Sequence, residues 1–465
     1  MLYLIVTLGI GIFSGRSIRN FSHFAVGHRN FTAFIIFCTL SASYIGGGYT
    51  IGNAAKVYSH GMIYAFALLG FSLKEILVGT LIAPRMKHYQ DCLSVGDMIA
   101  KTYGNSPQIF TGIFAVLICA GILGAQINAL STIFHTFFPE INTLIGVLIS
   151  FFIIIIYCTL GGMKAVVYTD VFQFLILAVG IPILFISGLH KVGGWSTINT
   201  SVPTGFLFPF GSAHQIWVLL GLFIAFMFGE ILVPPYVQRL FMTNPKSTCR
   251  GTVASGILSI PVFIITGLIG LIAYTNNHTL NSNLALPYVI MNLAPPVLKG
   301  FLIAALIAII MSSAAGFLNA AAISFINDIM QPICRSKIFD LNFSQLALLR
   351  ITKITTFLVG VLAVFFAMGL KNALDILLFS YNLWSPIVLV PLVAAIFGIA
   401  GRGAFHYFIS ALGGFAGAML WRGFIANVAY LNSATFGILV NLLLFIIMYN
   451  FLRPMPKKRV NSNCL

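Results

Sequence analysis

The feature that most limits this chain is a succession of long apolar runs. Thirteen stretches lie between polar or Gly/Pro breaks, with approximate limits 2–15, 31–57, 62–84, 107–136, 140–160, 166–189, 214–241, 251–275, 297–329, 346–369, 374–399, 402–421 and 432–452. A transmembrane helix needs about 20 mostly apolar residues. The reading is therefore an all-α integral membrane protein of about thirteen helices, one polytopic unit over 1–465. Only 7% of the 465 residues are charged, against about 25% in a soluble domain, and the mean hydropathy is +1.01. A soluble enzyme, a disordered chain and a nucleic-acid binder are excluded. The first run lacks the basic flank and small-residue cleavage site of a signal peptide, so it reads as a span. The 7 Cys form no CxxC pair and predict neither a disulfide framework nor a zinc site.

The net charge of +16 reports topology. Alternate loops hold Arg16, Arg19, Arg29, Arg85, Lys87, Lys101, Lys164, Arg239, Lys246, Arg250, Arg335, Lys337, Arg350, Lys353, Arg402, Arg453, Lys457, Lys458 and Arg459. Lys56, Lys74, Lys191, Lys299, Lys371 and Arg422 fall on the other side or within spans. This bias predicts an outer N-terminus and a cytoplasmic C-terminus in a cell inner (plasma) membrane. The longest loops, 85–106 and 190–213, are too short to fold alone.

Helix breakers inside spans are informative, because a bilayer tolerates irregular backbone only under protein or water. The second run carries Gly46-Gly47-Gly48, the seventh Pro234-Pro235, the eleventh Asn382 and Pro386. Close helix packing and simple kinks are one reading. Their placement offers another. The second and seventh runs each open a set of five helices, and paired interruptions in two halves point to a transporter's binding site. The expected organisation is a first inverted repeat over 31–189, a second over 214–399, and two additional helices over 402–452.

Of the nine acidic residues, Asp91, Asp97, Glu140 and Asp340 read as loop residues, and Asp328 and Asp375 as span-end residues. Glu75, Asp170 and Glu230 fall within spans, with Lys74 as the mid-membrane base. A charge at the bilayer centre costs roughly 2.5–3.5 kcal/mol on the lenient insertion scale, so each needs a partner. Phe71, Lys74 and Glu75 share one helical face. They read either as a buried ion pair, with Lys74 held by Glu75 or Glu230, or as a solute or proton contact. Asp170 reads either as a cap of its helix start or as an attractor of an exiting cation. Ser312 and Ser313 suit close packing or hard-oxygen ligation of Na⁺.

The strings SASYIGGGYTIGNAAKVYSHG, TLGGMKAVVYTDVFQFLILAVG, PPYVQR and MSSAAGFLNAAAISFINDI resemble, in order and spacing, the sodium:solute symporter family over about 30–450. The IGGGY version of the second run looks most like the choline-transporter branch. The resemblance implies a leucine-transporter type fold and Na⁺ as the coupling ion. It implies Na⁺ ligands at the carbonyls of Ile36, Thr39 and Ile309 and the hydroxyls of Ser312 and Ser313. A second sodium site in some members uses hydroxyls at the positions of Ala315 and Gly316, with the acid at Asp170. Their loss here implies one Na⁺ per cycle. The choline branch's aromatic cage falls on Tyr44, Phe71, Ile122 and Val233, of which two are aliphatic. Glu230 and Lys74 are additions, beside the unwound Gly46 and Gly47, and suit a zwitterion such as an amino acid or betaine better than choline.

The expected function is sodium-coupled import of a small polar organic solute, with the solute, Na⁺ and the lipid bilayer as partners. No obligatory protein partner or nucleic acid is implied. One rival is a proton-coupled carrier using Glu230 or Glu75. A second is a sensor on the same scaffold, although the tail after Phe451 is too short for a signalling domain. An enzyme is not expected, since no HExxH and no Ser/His/Asp set is present.

Overall fold

The computed structural model describes residues 2–15, 20–27, 29–137, 139–159, 162–336, 341, 343–369, 373–399, 402–425 and 431–452. Among the described residues the chain is helical, without strands. Its main helices are α1 (Leu2–Gly15), α2 (Ala33–Tyr44), α3 (Gly48–His60), α4 (Ile63–Tyr89), α5 (Val95–Tyr103), α6 (Asn105–Phe137), α7 (Thr143–Thr159) and α8 (Gly162–Lys191). They continue with α9 (Ala213–Gly229), α10 (Pro234–Leu240), α11 (Pro245–Asn276), α12 (Pro296–Cys334), α13 (Gln345–Gly369), α14 (Ala373–Ile396), α15 (Ala404–Phe424) and α16 (Ser433–Phe451).

Each of the thirteen apolar runs contains helix among the described residues, with the second, seventh and eleventh runs interrupted. Among the described residues nine helices are long and apolar enough to cross a membrane, and two bent pairs raise the number to as many as 11. The runs at 2–15 and 140–160 form helices of 14 and 17 residues, short of the about 20 that span a bilayer. The loop at 85–106 carries the amphipathic helix α5, and the loop at 190–213 carries a helix over Trp195–Ser201. The basic residues Arg16, Arg19, Lys337, Lys371, Arg453, Lys457, Lys458 and Arg459, and the acidic Asp340, lie outside the described residues.

The two bends decide where function can sit. α2 and α3 meet at 57°, α9 and α10 at 58°. α2 begins where Thr32 caps the Ile35 amide and ends at Tyr44, before Ile45 and Gly46 leave the helix. α10 begins on Pro234-Pro235, which fit a first turn because their missing amides would have no intrahelical acceptor. The eleventh run behaves differently. A turn at Asn382–Trp384 interrupts α14, yet the helix stays a single span over Ala373–Ile396.

α6 and α12 form the centre, with most of their apolar length buried, whereas most of α16 is not. α12 packs on α6 and α8, and α11 packs on α2, α3 and α4. Both bends therefore lie inside protein, where the bilayer's ban on irregular backbone does not apply.

Candidate functional site

Unwinding frees backbone groups that must find partners when buried. At the first bend the Gly47 amide donates to Gln126 Oε1 at 2.8 Å. Only glycine permits the approach: a Cβ on Gly46 would stand 2.5 Å from Ser313 Oγ, and one on Gly47 2.7 Å from Ala129 Cβ. The glycines thus serve close packing and unwinding together. At the second bend, Ser385 Oγ donates to the carbonyls of Phe228 (2.6 Å) and Gly229 (2.5 Å), and Trp384 Nε1 to that of Ile231 (3.0 Å). The eleventh run's polar break thereby closes the seventh's. Leu232, inside the unwound stretch, holds φ +54°, a left-handed conformation that costs a non-glycine residue roughly 1–2 kcal/mol.

Glu230 ends α9 at this bend and is fully buried. Tyr236 donates to its Oε1 at 2.6 Å. Tyr49 donates to its Oε2, and the Tyr381 hydroxyl lies 3.5 Å from that oxygen and 2.5 Å from the Tyr49 hydroxyl. Lys74, also fully buried, pairs with Glu75 at 2.7 Å and donates to the Glu230 backbone carbonyl at 3.3 Å. The second Glu75 oxygen accepts from Tyr44. Three rings surround the Lys74 ammonium: Phe71 with its centroid at 3.4 Å, Tyr236 at 5.3 Å and Tyr44 at 5.7 Å.

A second ionic cluster joins the two bent helices to α8 and α12. Arg239 Nη2 donates to Asp170 Oδ2 at 2.9 Å, with both side chains fully buried. Ser312 donates to Asp170 Oδ1 at 2.6 Å, and Thr39 also donates to this carboxylate. Arg239 Nε donates to Thr39 Oγ1 at 2.9 Å. Ser313 donates to the Ser43 carbonyl at 2.8 Å. Asp170 sits eight residues inside α8, so it does not cap that helix.

A third cluster joins α5, α6 and the end of α12. Asn327 Nδ2 bridges Asp97 Oδ1 (2.8 Å) and Asp328 Oδ1 (3.1 Å), Gln108 Nε2 reaches Asp97 at 3.1 Å, and Ser94 donates to Asp328. Burial pushes the Asp97 carboxyl above the usual carboxylate range. Asp328 Oδ2 is buried without a hydrogen-bond partner.

The structure gathers Tyr44, Phe71, Lys74, Glu75 and Glu230 into one cluster, and Thr39, Asp170 and Ser312 into another. Ile122 and Val233 are buried, on α6 and at the start of α10. Gly46 and Gly47 face α6 and α12 rather than Glu230. Ile36 lies within α2 with its side chain against Gly251, and Ile309 within α12. Arg239 corrects the charge reading: it is a buried partner of Asp170, not a loop cation. Its place four residues after a Pro-Pro break was the available signal. Tyr49, Tyr236, Tyr381 and Gln126 escaped the sequence reading, although Tyr49 and Tyr236 lie in the quoted strings.

A family model described as "Sodium:solute symporter family" matches residues 24–413. The high-affinity choline transporter 1 of Drosophila melanogaster is 26% identical over 412 residues, 83% of this chain and 63% of the relative. The chain thus spans less than two thirds of that relative's length. The sodium/proline symporter of Staphylococcus aureus (strain JH9) is 24% identical over 459 residues, 92% of this chain and 86% of the relative. A solved structure of a Na⁺-coupled sialic acid symporter, substrate-bound and outward-open, superposes with a TM-score of 0.82 at 20% identity, covering 98% of each chain. At that identity the match speaks to fold.

Proposed function

Since this chain belongs to the sodium:solute symporter family, we propose that it is a sodium-coupled symporter importing a small zwitterion or amine. The observation that carries the solute class is Glu230. Among the described residues its carboxylate is fully buried and in no ion pair. With all three ionised, Lys74, Glu75 and Glu230 together leave one negative charge in excess. An isolated buried ion costs several kcal/mol, and a solute ammonium beside Glu230 would offset that cost. The Drosophila relative's name cites choline and the Staphylococcus relative's cites proline. Both molecules carry a cationic nitrogen, which agrees with this reading.

In this proposal Na⁺ is the second cargo. Ser312 gives its proton to Asp170, so its oxygen keeps lone pairs to offer a cation, whereas the Thr39 hydroxyl already accepts from Arg239. Ser313, the Ser43 carbonyl and the carbonyls of Ile36, Thr39 and Ile309 complete the candidate oxygens. Asp170 is already neutralised by Arg239, and a Cβ on Gly316 would lie 3.0 Å from Arg239 Nη2. A fixed guanidinium beside Gly316 favours one Na⁺ per cycle. The near-equal bends of the second and seventh runs support two repeats, 31–189 and 214–399, rocking about the site. Their effects on affinity must then be reciprocal: Na⁺ tightens the solute as much as the solute tightens Na⁺.

Thermal stability of the purified protein tests this. Amino acids, betaines, choline and small carboxylates are screened in Na⁺ and then in K⁺. The expected result is an amine or zwitterion that stabilises only with Na⁺, an effect lost in Ser312→Ala/Ser313→Ala. Stabilisation that ignores Na⁺ and follows pH moves coupling to a proton on Glu230.

A further inference from the structure

We infer that Lys74 is a tethered occupant of a cation box cut for a primary ammonium, so the central site takes amines that donate hydrogen bonds and refuses quaternary ammonium ions. The inference rests on reading this cluster as the solute site.

Three ring faces, the Glu75 carboxylate and the Glu230 carbonyl surround the Lys74 ammonium. Such a set of rings is also what a quaternary ammonium seeks, because the ring quadrupole attracts a cation without needing a proton. Here the rings are already taken. Their spacing also argues against methylated nitrogen. Lys74 Nζ stands 3.4 Å from the Phe71 centroid, whereas one carbon prefers about 3.5–4.0 Å from another. No N-methyl group fits between them.

What remains for a solute is an oxygen surface: the Glu230 carboxylate with the hydroxyls of Tyr49, Tyr236 and Tyr381. Phenolic oxygens accept as well as donate. A primary or secondary ammonium can insert N–H donors into this set. A quaternary ammonium has none, and would break phenol–carboxylate bonds without replacing them. The lysine therefore narrows the zwitterion class from betaines and amino acids to amino acids and related amines.

The test is chemical rescue of Lys74→Ala. That variant leaves a slot for a short chain ending in an ammonium, facing Glu75. In K⁺ without Na⁺, where the solute site does not respond, propylammonium should raise the variant's Tm by about 2 °C or more and leave the wild type unchanged. Tetramethylammonium should rescue neither. Equal rescue by both ions, no rescue by either, or Na⁺-dependent choline binding to the wild type overturns the inference. Lys74→Met gives a second arm. Phe71→Leu should cost more stability in the wild type than in the Lys74→Met background, because only the former loses an ammonium–ring contact. Equal costs overturn it too. These readouts need no transport: failure of the solute screen with successful rescue sinks the symport reading alone, and failed rescue beside a Na⁺-dependent amine sinks this inference alone.

Discussion

Arg239 and Asp170 show how tightly single residues are committed in this core. Both are fully buried, and Asp170 draws on Arg239, Thr39 and Ser312 at once. Removing one partner leaves the other charge uncompensated, at a cost of about 3–5 kcal/mol. Arg239→Ala should therefore lower Tm strongly, and Asp170→Asn/Arg239→Met should recover most of the loss. A double variant no better than Arg239→Ala in a melting experiment would show that the pair is not the cause. At this scale the sequence was partly legible. Glu75, Asp170, Glu230 and Lys74 stood out because charges are rare in lipid. The three tyrosines around Glu230 did not, since a tyrosine is at home in cores and at membrane interfaces alike. Arg239 was misassigned because a charge near a span end looks like a loop charge until its partner, 69 residues away in sequence, is seen.

The elements were the most legible part. A lipid-crossing helix must be continuously apolar, and that requirement is local, so runs and breaks could be read directly. How breaks are closed depends on distant chain: Gln126 serves the first, Trp384 and Ser385 the second. The same logic gives a prediction for the α2/α3 bend. Gly46→Ala would press a methyl to 2.5 Å from Ser313 Oγ and 3.1 Å from Gln126. Overpacking of this kind costs about 1–3 kcal/mol. It should also displace Ser313 and abolish Na⁺-dependent stabilisation. Gly300→Ala, on the same α12 helix with nothing within 4 Å of its new Cβ, should leave the Na⁺ response intact. Equal responses in the two variants would remove the bend from the ion site.

For the whole molecule, the excess charge around Glu230 has an electrical consequence. With all groups ionised, the Asp170–Arg239 pair contributes nothing, and Lys74, Glu75 and Glu230 contribute minus one. A carrier loaded with Na⁺ and a zwitterion is then neutral at its centre, while the empty carrier is anionic. A resting potential, worth about 2.3 kcal/mol per charge per 100 mV, would act mainly on the empty carrier. Inside-negative voltage would drive its return to the outward-facing form and leave the loaded step almost untouched. Transient currents after a voltage jump should accordingly appear without solute or Na⁺, shrink at saturating levels of both, and vanish in Glu230→Gln. Currents that survive that substitution would place the voltage-sensing charge elsewhere. On this reading the buried glutamate that greets the solute is also the charge by which the membrane potential resets the carrier.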